Sequence, residues 1–170
     1  EQLPDEIEGP LDLPMTQESV RPHALQRAPF SKVIASRWSF VLGRCAQMLG
    51  LRSRALGHFD QASVYLPGWV TPLIVMGMIH GKRDDYPLAL SMYRRALDVD
   101  RARVEANPIV IRSVARCYLR RSEEVEAEGR VAVACGLLEE VLSLDLRRSP
   151  SSLRIEITRR HEALRAMRKR

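Results

Sequence analysis

The apolar residues of this chain fall at helical spacing, three and four positions apart, in successive runs along most of its length. Short polar or glycine-containing stretches separate the runs, such as "GLRS" from Gly50 and "RDDY" from Arg83. This pattern predicts pairs of antiparallel helices, each closed by a tight turn. We therefore predict an all-α fold.

Two stretches repeat one motif: "ALGHFDQA" starts at Ala55, and "ALSMYRRA" starts 34 residues later at Ala89. The same shift of 34 aligns Phe59 and Ala62 with Tyr93 and Ala96 inside the motif, and Leu42 and Gly43 with Met76 and Gly77 before it. The register predicts one helical hairpin written twice, over about 36–69 and 70–103.

The glycines at Gly43 and Gly77 fall in the middle of predicted helices, where Gly costs up to about 1 kcal/mol relative to Ala. We expect a neighbouring helix to approach closely at both positions and offset this cost. Ala55 and Ala89 are expected to form the other half of that contact.

This order of small and aromatic positions resembles the tetratricopeptide repeat, a helix pair of 34 residues. The resemblance implies a solenoid of stacked hairpins. Two features depart from the family pattern: the usual first-helix Trp is replaced by Ser39 and Leu73, with Trp38 beside the former, and Arg101 stands where a terminal Pro is usual.

A third, degenerate unit follows. We predict its first helix over "PIVIRSVARCYLRR" (Pro108–Arg121) and its second over "AVACGLLEEVLSLD" (Ala132–Asp145). The intervening "SEEVEAEGR" is longer than the repeat allows, which predicts a lengthened hairpin that extends one or both helices. An unrelated helical pair is the alternative. The predicted plan is an arm over 1–35, a repeat domain over 36–150 and a basic capping helix over 151–170.

The resemblance implies that the first helices line a concave groove that binds partner segments. Its positions in this chain are Arg37, Phe40, Val41, Arg44, Met48, Thr71, Ile74, Val75, Met78, Lys82, Ile109, Arg112, Ser113, Arg116 and Arg120. Such a groove, apolar in the middle and cationic around it, suits an extended or helical segment with apolar anchors and acids. Plain core is the alternative for the apolar members.

One ligand of the family is disfavoured by this set. Family members that clamp the carboxylate end of a chaperone tail place Lys and Asn at certain groove positions. This chain has Phe40, Arg44 and Val75 there, with Ser113 in the third unit. We therefore do not expect a chaperone-tail receptor.

The net charge of +6 is unevenly distributed. Residues 1–20 carry six acids and no base, whereas the C-terminal helix is rich in arginine, and only three of the 27 basic residues are lysines. Arginine favours carboxylate and phosphate partners, although a bias toward Arg codons with solvated side chains explains the content equally well. We hypothesise that the acidic arm folds into the basic groove or reaches another subunit.

No catalytic, cofactor or metal constellation is predicted. "GMIHGKR" (Gly77–Arg83) has three residues between its glycines, where a phosphate loop needs four, and His80 is assigned to packing between helices. The three cysteines, Cys45, Cys117 and Cys135, form no metal-spaced set and act as small hydrophobes. A reducing intracellular compartment is expected, cytosol or an organelle matrix such as the mitochondrial one, and no transmembrane segment is predicted.

The leading functional interpretation is a non-catalytic adaptor or structural subunit that holds other protein subunits in a larger assembly. The alternative is a peripheral subunit of an RNA-containing assembly such as a ribosome, favoured by the arginine-rich C-terminal helix. Adsorption of that helix to a membrane surface is a third interpretation, disfavoured because its apolar stripe lacks Trp and Phe.

Overall fold

The computed structural model describes residues 29–168, which form seven α-helices, a single 3₁₀ turn and no strand. Residues 1–28, most of the arm predicted over 1–35, lie outside the described residues, as do residues 169 and 170. The helices are α1 (Phe30–Met48), α2 (Arg52–Tyr65), α3 (Val70–Gly81), α4 (Tyr86–Ala106), α5 (Pro108–Ala127), α6 (Val131–Leu142) and α7 (Ser151–Arg168), with the 3₁₀ turn at Leu146–Arg148 before α7.

Successive helices pack as three hairpins, α1 with α2, α3 with α4, and α5 with α6. The hairpins stack through α2 against α3 and α4 against α5, while α3 and α5 also touch each other. Helix α7 packs on α6 and α5 and covers the last hairpin. The described residues thus form one layered stack with a continuous apolar interior.

Local chemistry determines where the helices begin and turn. The Asp85 side chain accepts a hydrogen bond from the Leu88 amide at the start of α4, and Asn107 caps α5 at Ile109 and Val110. Asx caps of this kind satisfy amides that have no partner within the helix. Glycines with positive φ at Gly50 and Gly129 turn the first and third hairpins.

The mid-helix glycines face aromatic rings. A Cβ placed on Gly43 would lie 2.6 Å from Phe59 Cε1, and one on Gly77 would lie 2.7 Å from Tyr93 Cε1. The close approach is present, but its nearest partner is the ring rather than Ala55 or Ala89 as expected. Both alanines, both rings, Ala62 and Ala96 are fully buried, and Met76 is buried too.

Several boundaries and burials differ from the sequence-based expectations. Helix α1 begins at Phe30 rather than Ser36, and α5 absorbs the long hairpin by continuing to Ala127. In α4 the backbone breaks at Asp100 (φ −156°, ψ 83°), whose carboxylate accepts from the Arg103 amide and caps a further turn. Leu42, one of the matching repeat positions, is 49% exposed. Cys45 is exposed, so it does not act as a core residue.

The outer face of α1 carries apolar side chains that nothing in the described residues covers. Trp38 is 63% exposed and Met48 is 85% exposed, with Phe30 and Ile34 on the same helix and Leu49 just after it also exposed. Trp38 is therefore not packed into the core of the described residues.

Candidate functional site

The predicted groove residues are all at least partly accessible, and none is buried. Ile109 is 55% exposed and Val41 is 48% exposed. Phe40, Ile74, Val75 and Met78 are half-buried and pack against the core. Thr71, Arg112 and Ser113 are half-buried, and the exposed members are Arg37, Arg44, Met48, Lys82, Arg116 and Arg120.

A cleft of about 350 Å³ brings five of these residues together: Met78 and Lys82 from α3 with Ser113, Arg116 and Arg120 from α5. Helix α7 closes one side of this cleft through Leu153 and Glu156, and α4 contributes Tyr86 and Tyr93. Because α3 and α5 contact each other, their residues share one surface. We refer to this site as the α3–α5 cleft.

The charges of the α3–α5 cleft are mostly uncompensated. Lys82 and Arg116 are exposed and form no ion pair within residues 29–168, whereas Arg120 is paired with Glu123 at 2.9 Å. Glu156 is the one carboxylate that lines the cleft. A cationic concavity with low-dielectric walls attracts anionic groups.

Two tyrosines give the cleft its polar character. The Tyr93 hydroxyl is buried and makes no hydrogen bond of normal geometry among the described residues, because the nearby Ser113 hydroxyl donates to the Ile109 carbonyl. Burial raises the pKa of Tyr93 well above its usual range, and Ser113 opposes this rise only in part. The Tyr86 hydroxyl donates to Asp84 Oδ1 at 2.5 Å, and this bond, with burial, raises the pKa of Tyr86 to about 12. An unpartnered buried hydroxyl costs about 1–3 kcal/mol, a penalty that a bound acceptor would relieve.

Two α1 residues of the predicted groove, Arg37 and Phe40, pack against Trp69 and not in the α3–α5 cleft. The Arg37 guanidinium lies 4.3 Å from the Trp69 ring centroid, and the Phe40 ring lies 4.8 Å from Trp69 and 5.3 Å from Phe59. None of the α1 members lines the α3–α5 cleft. The structure thus gathers five members of the second and third units into one concavity. The α1 members, together with Thr71, Ile74, Val75, Ile109 and Arg112, lie outside its lining.

The groups in the cleft are suited to binding. Burial raises the pKa of Cys117 to about 11, so its thiol stays protonated at neutral pH and is a poor nucleophile. His80 does not line the cleft. It contacts Asp85 through Nδ1 at 3.2 Å and joins the end of α3 to the start of α4.

Sequence reasoning missed the part of the cleft that depends on stacking. Tyr86 and Tyr93 occupy repeat-packing positions, and the sequence does not indicate where their hydroxyl groups lie. Leu153 and Glu156 belong to the C-terminal helix, and no local signal indicates that this helix packs on α5 and borders the cleft.

Similarity to known proteins agrees with this architecture. No protein-family model matches the sequence, and no curated protein matches it either. Among solved structures, the chain is similar to the N-terminal domain of stress-induced protein-1 (STI-1) from C. elegans. The match has 17% identity, covers 81% of this chain and 99% of that one, and gives a TM-score of 0.54.

The fold is therefore an all-α, tetratricopeptide-like helical-repeat solenoid, as the sequence resemblance predicted. At this level of identity the likeness concerns the fold, and the ligand has to be inferred from surface chemistry. Within residues 29–168, no helix combines the length and apolar character that a bilayer crossing requires.

Proposed function

We propose that this chain is a non-catalytic protein-interaction adaptor, or a structural subunit of a larger assembly. Its α3–α5 cleft would bind a partner segment that combines acidic and apolar side chains. The observation that carries this proposal is that Lys82 and Arg116, which form no ion pair among residues 29–168, line the same cleft as Met78, Leu119 and the buried Tyr93. A carboxylate in the cleft would pair with these exposed cations.

The apolar half of the recognition would come from neighbouring side chains. Met78 and Leu119 line the cleft, and Ile74 and Val75 lie half-buried on the same helix as Met78. Apolar anchors from a partner could bury against them, and flanking acids would reach the cations at the edge. A solenoid that offers such a surface matches the general use of helical repeats in recognition.

The test uses a fluorescent peptide of alternating Glu and Leu, with a Lys-for-Glu version as the charge control. Fluorescence anisotropy on the full chain should show binding of the acidic peptide only. The double variant Lys82→Glu/Arg116→Glu should weaken it about tenfold or more, since two charge-assisted contacts are reversed. Arg54→Glu/Arg95→Glu, which changes the net charge equally at exposed sites outside the cleft, is the matched control. Equal losses in both double variants would contradict the proposal and indicate a diffuse charge effect.

A second candidate function is association with RNA, and exposed cations on α7 favour it. Arg154, Arg159, Arg165 and Arg168 are exposed and form no ion pair among the described residues, whereas Arg160 is paired with Glu123 and Glu126. Phosphate binding by such cations weakens steeply with salt. Cross-linking mass spectrometry from the native source, with and without RNase, separates the two functions: loss of partners after RNase, with cross-links on α7, would favour RNA.

A further inference from the structure

Helices α6 and α7 bring together three side chains with metal-ligand chemistry, outside the α3–α5 cleft. Cys135 and Glu139 are one turn apart on α6, and His161 reaches them from α7. The thiol, one carboxylate oxygen and one imidazole nitrogen all lie within 4.8 Å of one another. We propose that these residues form a binding site for a zinc-class divalent cation.

The distances between ligand atoms match what such a cation needs. Cys135 Sγ lies 3.6 Å from Glu139 Oε1, and His161 Nε2 lies 3.4 Å from the same oxygen. Zn²⁺ binds sulfur at about 2.3 Å and nitrogen or oxygen at about 2.0–2.2 Å, so tetrahedral ligands stand about 3.3–3.6 Å apart. Two of the three edges of a tetrahedral face thus already have the required length, and the third, between Sγ and Nε2, lies within 4.8 Å.

The types of ligand select the class of cation. A thiolate and an imidazole favour Zn²⁺ and its borderline-soft relatives over Mg²⁺ and Ca²⁺, which take oxygen ligands. Three protein ligands leave a fourth position for water or an outside ligand. Cys135 is 1% exposed and the Glu139 side chain is 56% exposed, so the cation would enter past the carboxylate.

The charged groups around the site are compatible with a bound divalent cation. A cysteine binds a dication as its thiolate, so binding at Cys135 would release the thiol proton. Arg165 and Arg168, further along α7, favour the thiolate through their charge. The thiolate and the carboxylate together neutralise a dication, which limits its repulsion by these arginines.

Cation binding would fasten the last helix to the repeat stack. Helix α7 is already held by buried Leu153, Ile157 and Leu164 and by the ion pairs of Arg160 with α5. A cation shared between α6 and α7 adds a cross-link close to the C-terminal end. Since α7 also closes one side of the α3–α5 cleft, the cross-link would steady a wall of that cleft.

The test is a Co²⁺ titration of the full, reduced and chelator-treated chain, followed by absorbance. We expect a thiolate-to-cobalt charge-transfer band that saturates at one equivalent and disappears on addition of Zn²⁺. Cys135→Ser should abolish the band, and His161→Gln should weaken Co²⁺ binding at least tenfold. Cys45→Ser, at an exposed thiol on α1, is the matched control and should leave the band unchanged.

A second measurement distinguishes the loss of cation binding from misfolding of a variant. Zn²⁺ should raise the thermal midpoint of the wild-type chain and of Cys45→Ser, but not that of His161→Gln, whose helical circular dichroism should match the wild type. Absence of the charge-transfer band in the wild-type chain, or a band that survives both Cys135→Ser and His161→Gln, would overturn the proposal. The three residues would then be a hydrogen-bonded group only.

Discussion

Replacing Gly77 by Ala tests whether the aromatic ring of each hairpin sets the spacing between its two helices. The added Cβ would lie 2.7 Å from Tyr93 Cε1 and 2.9 Å from both Cδ1 and Cζ. Favourable carbon contacts lie at about 3.5–4.0 Å, so the overlap approaches 1 Å. Tyr93 is fully buried, so its ring can shift only by displacing packed neighbours or by moving toward the α3–α5 cleft that it lines.

The expected magnitude combines two opposing effects. Overpacking a well-packed core costs about 1–3 kcal/mol, and the better helix propensity of Ala returns up to about 1 kcal/mol. We expect Gly77→Ala to lower the free energy of unfolding by about 1–2 kcal/mol, or the thermal midpoint by about 2–8 °C for a chain of this size. Gly43→Ala, against Phe59, should behave in the same way.

The assay is urea and thermal unfolding followed by the helical circular dichroism signal. Gly57→Ala and Gly136→Ala are the matched controls, because both glycines are exposed within helices and have nothing within 4 Å of an added Cβ. Each control should gain about 0.5–1 kcal/mol. If Gly77→Ala is as stable as Gly57→Ala, the ring does not set the helix spacing and the packing argument is wrong.

Two further predictions concern charge. Although burial opposes it, hydrogen bonds from Arg94 (2.6 and 2.8 Å) and Tyr118 hold the pKa of Glu140 below its usual range. The contribution of Glu140 to stability is therefore present above the unfolded pKa and is lost as pH falls through the folded pKa. Glu140→Gln should lower the free energy of unfolding by about 1 kcal/mol at neutral pH and should flatten the loss of stability below about pH 4. Urea titrations measure both effects, with the exposed Glu162→Gln as the control. Residues 1–28 carry six acids and two arginines. If this segment competes for the basic groove, its deletion should tighten binding of the acidic peptide. Unchanged affinity, stability and oligomeric state would contradict the arm hypothesis.

The hairpins were predictable because their signals are local. Matching small and aromatic residues 34 positions apart predict two helix pairs, and Asp85 and Asn107 mark helix starts through caps that act within three residues. The long third hairpin was foreseen as an extension of one or both helices. Only the structure shows that α5 carries all of it to Ala127, because packing against α6 decides which helix continues.

The candidate sites were harder to predict because they join distant segments. The sequence names Lys82 and Arg116 as groove residues but cannot place Glu156 beside them. It likewise offers Cys135 and Glu139 at helical spacing, and the absence of a nearby His led to the expectation of no metal site. His161 joins them only because α7 folds back onto α6.

The sequence by itself determined the helices, the repeat register, the charge asymmetry and the small residues that let helices approach. These follow from periodicity and residue size, which act over one or two turns of chain. Only the tertiary structure buries the Tyr93 hydroxyl without a hydrogen-bond partner among residues 29–168, pairs Arg94 with Glu140 and places α7 along one side of the cleft. Such contacts depend on how whole helices stack, because a side chain meets its distant partner only after the buried surfaces have fixed the angle and distance between helices.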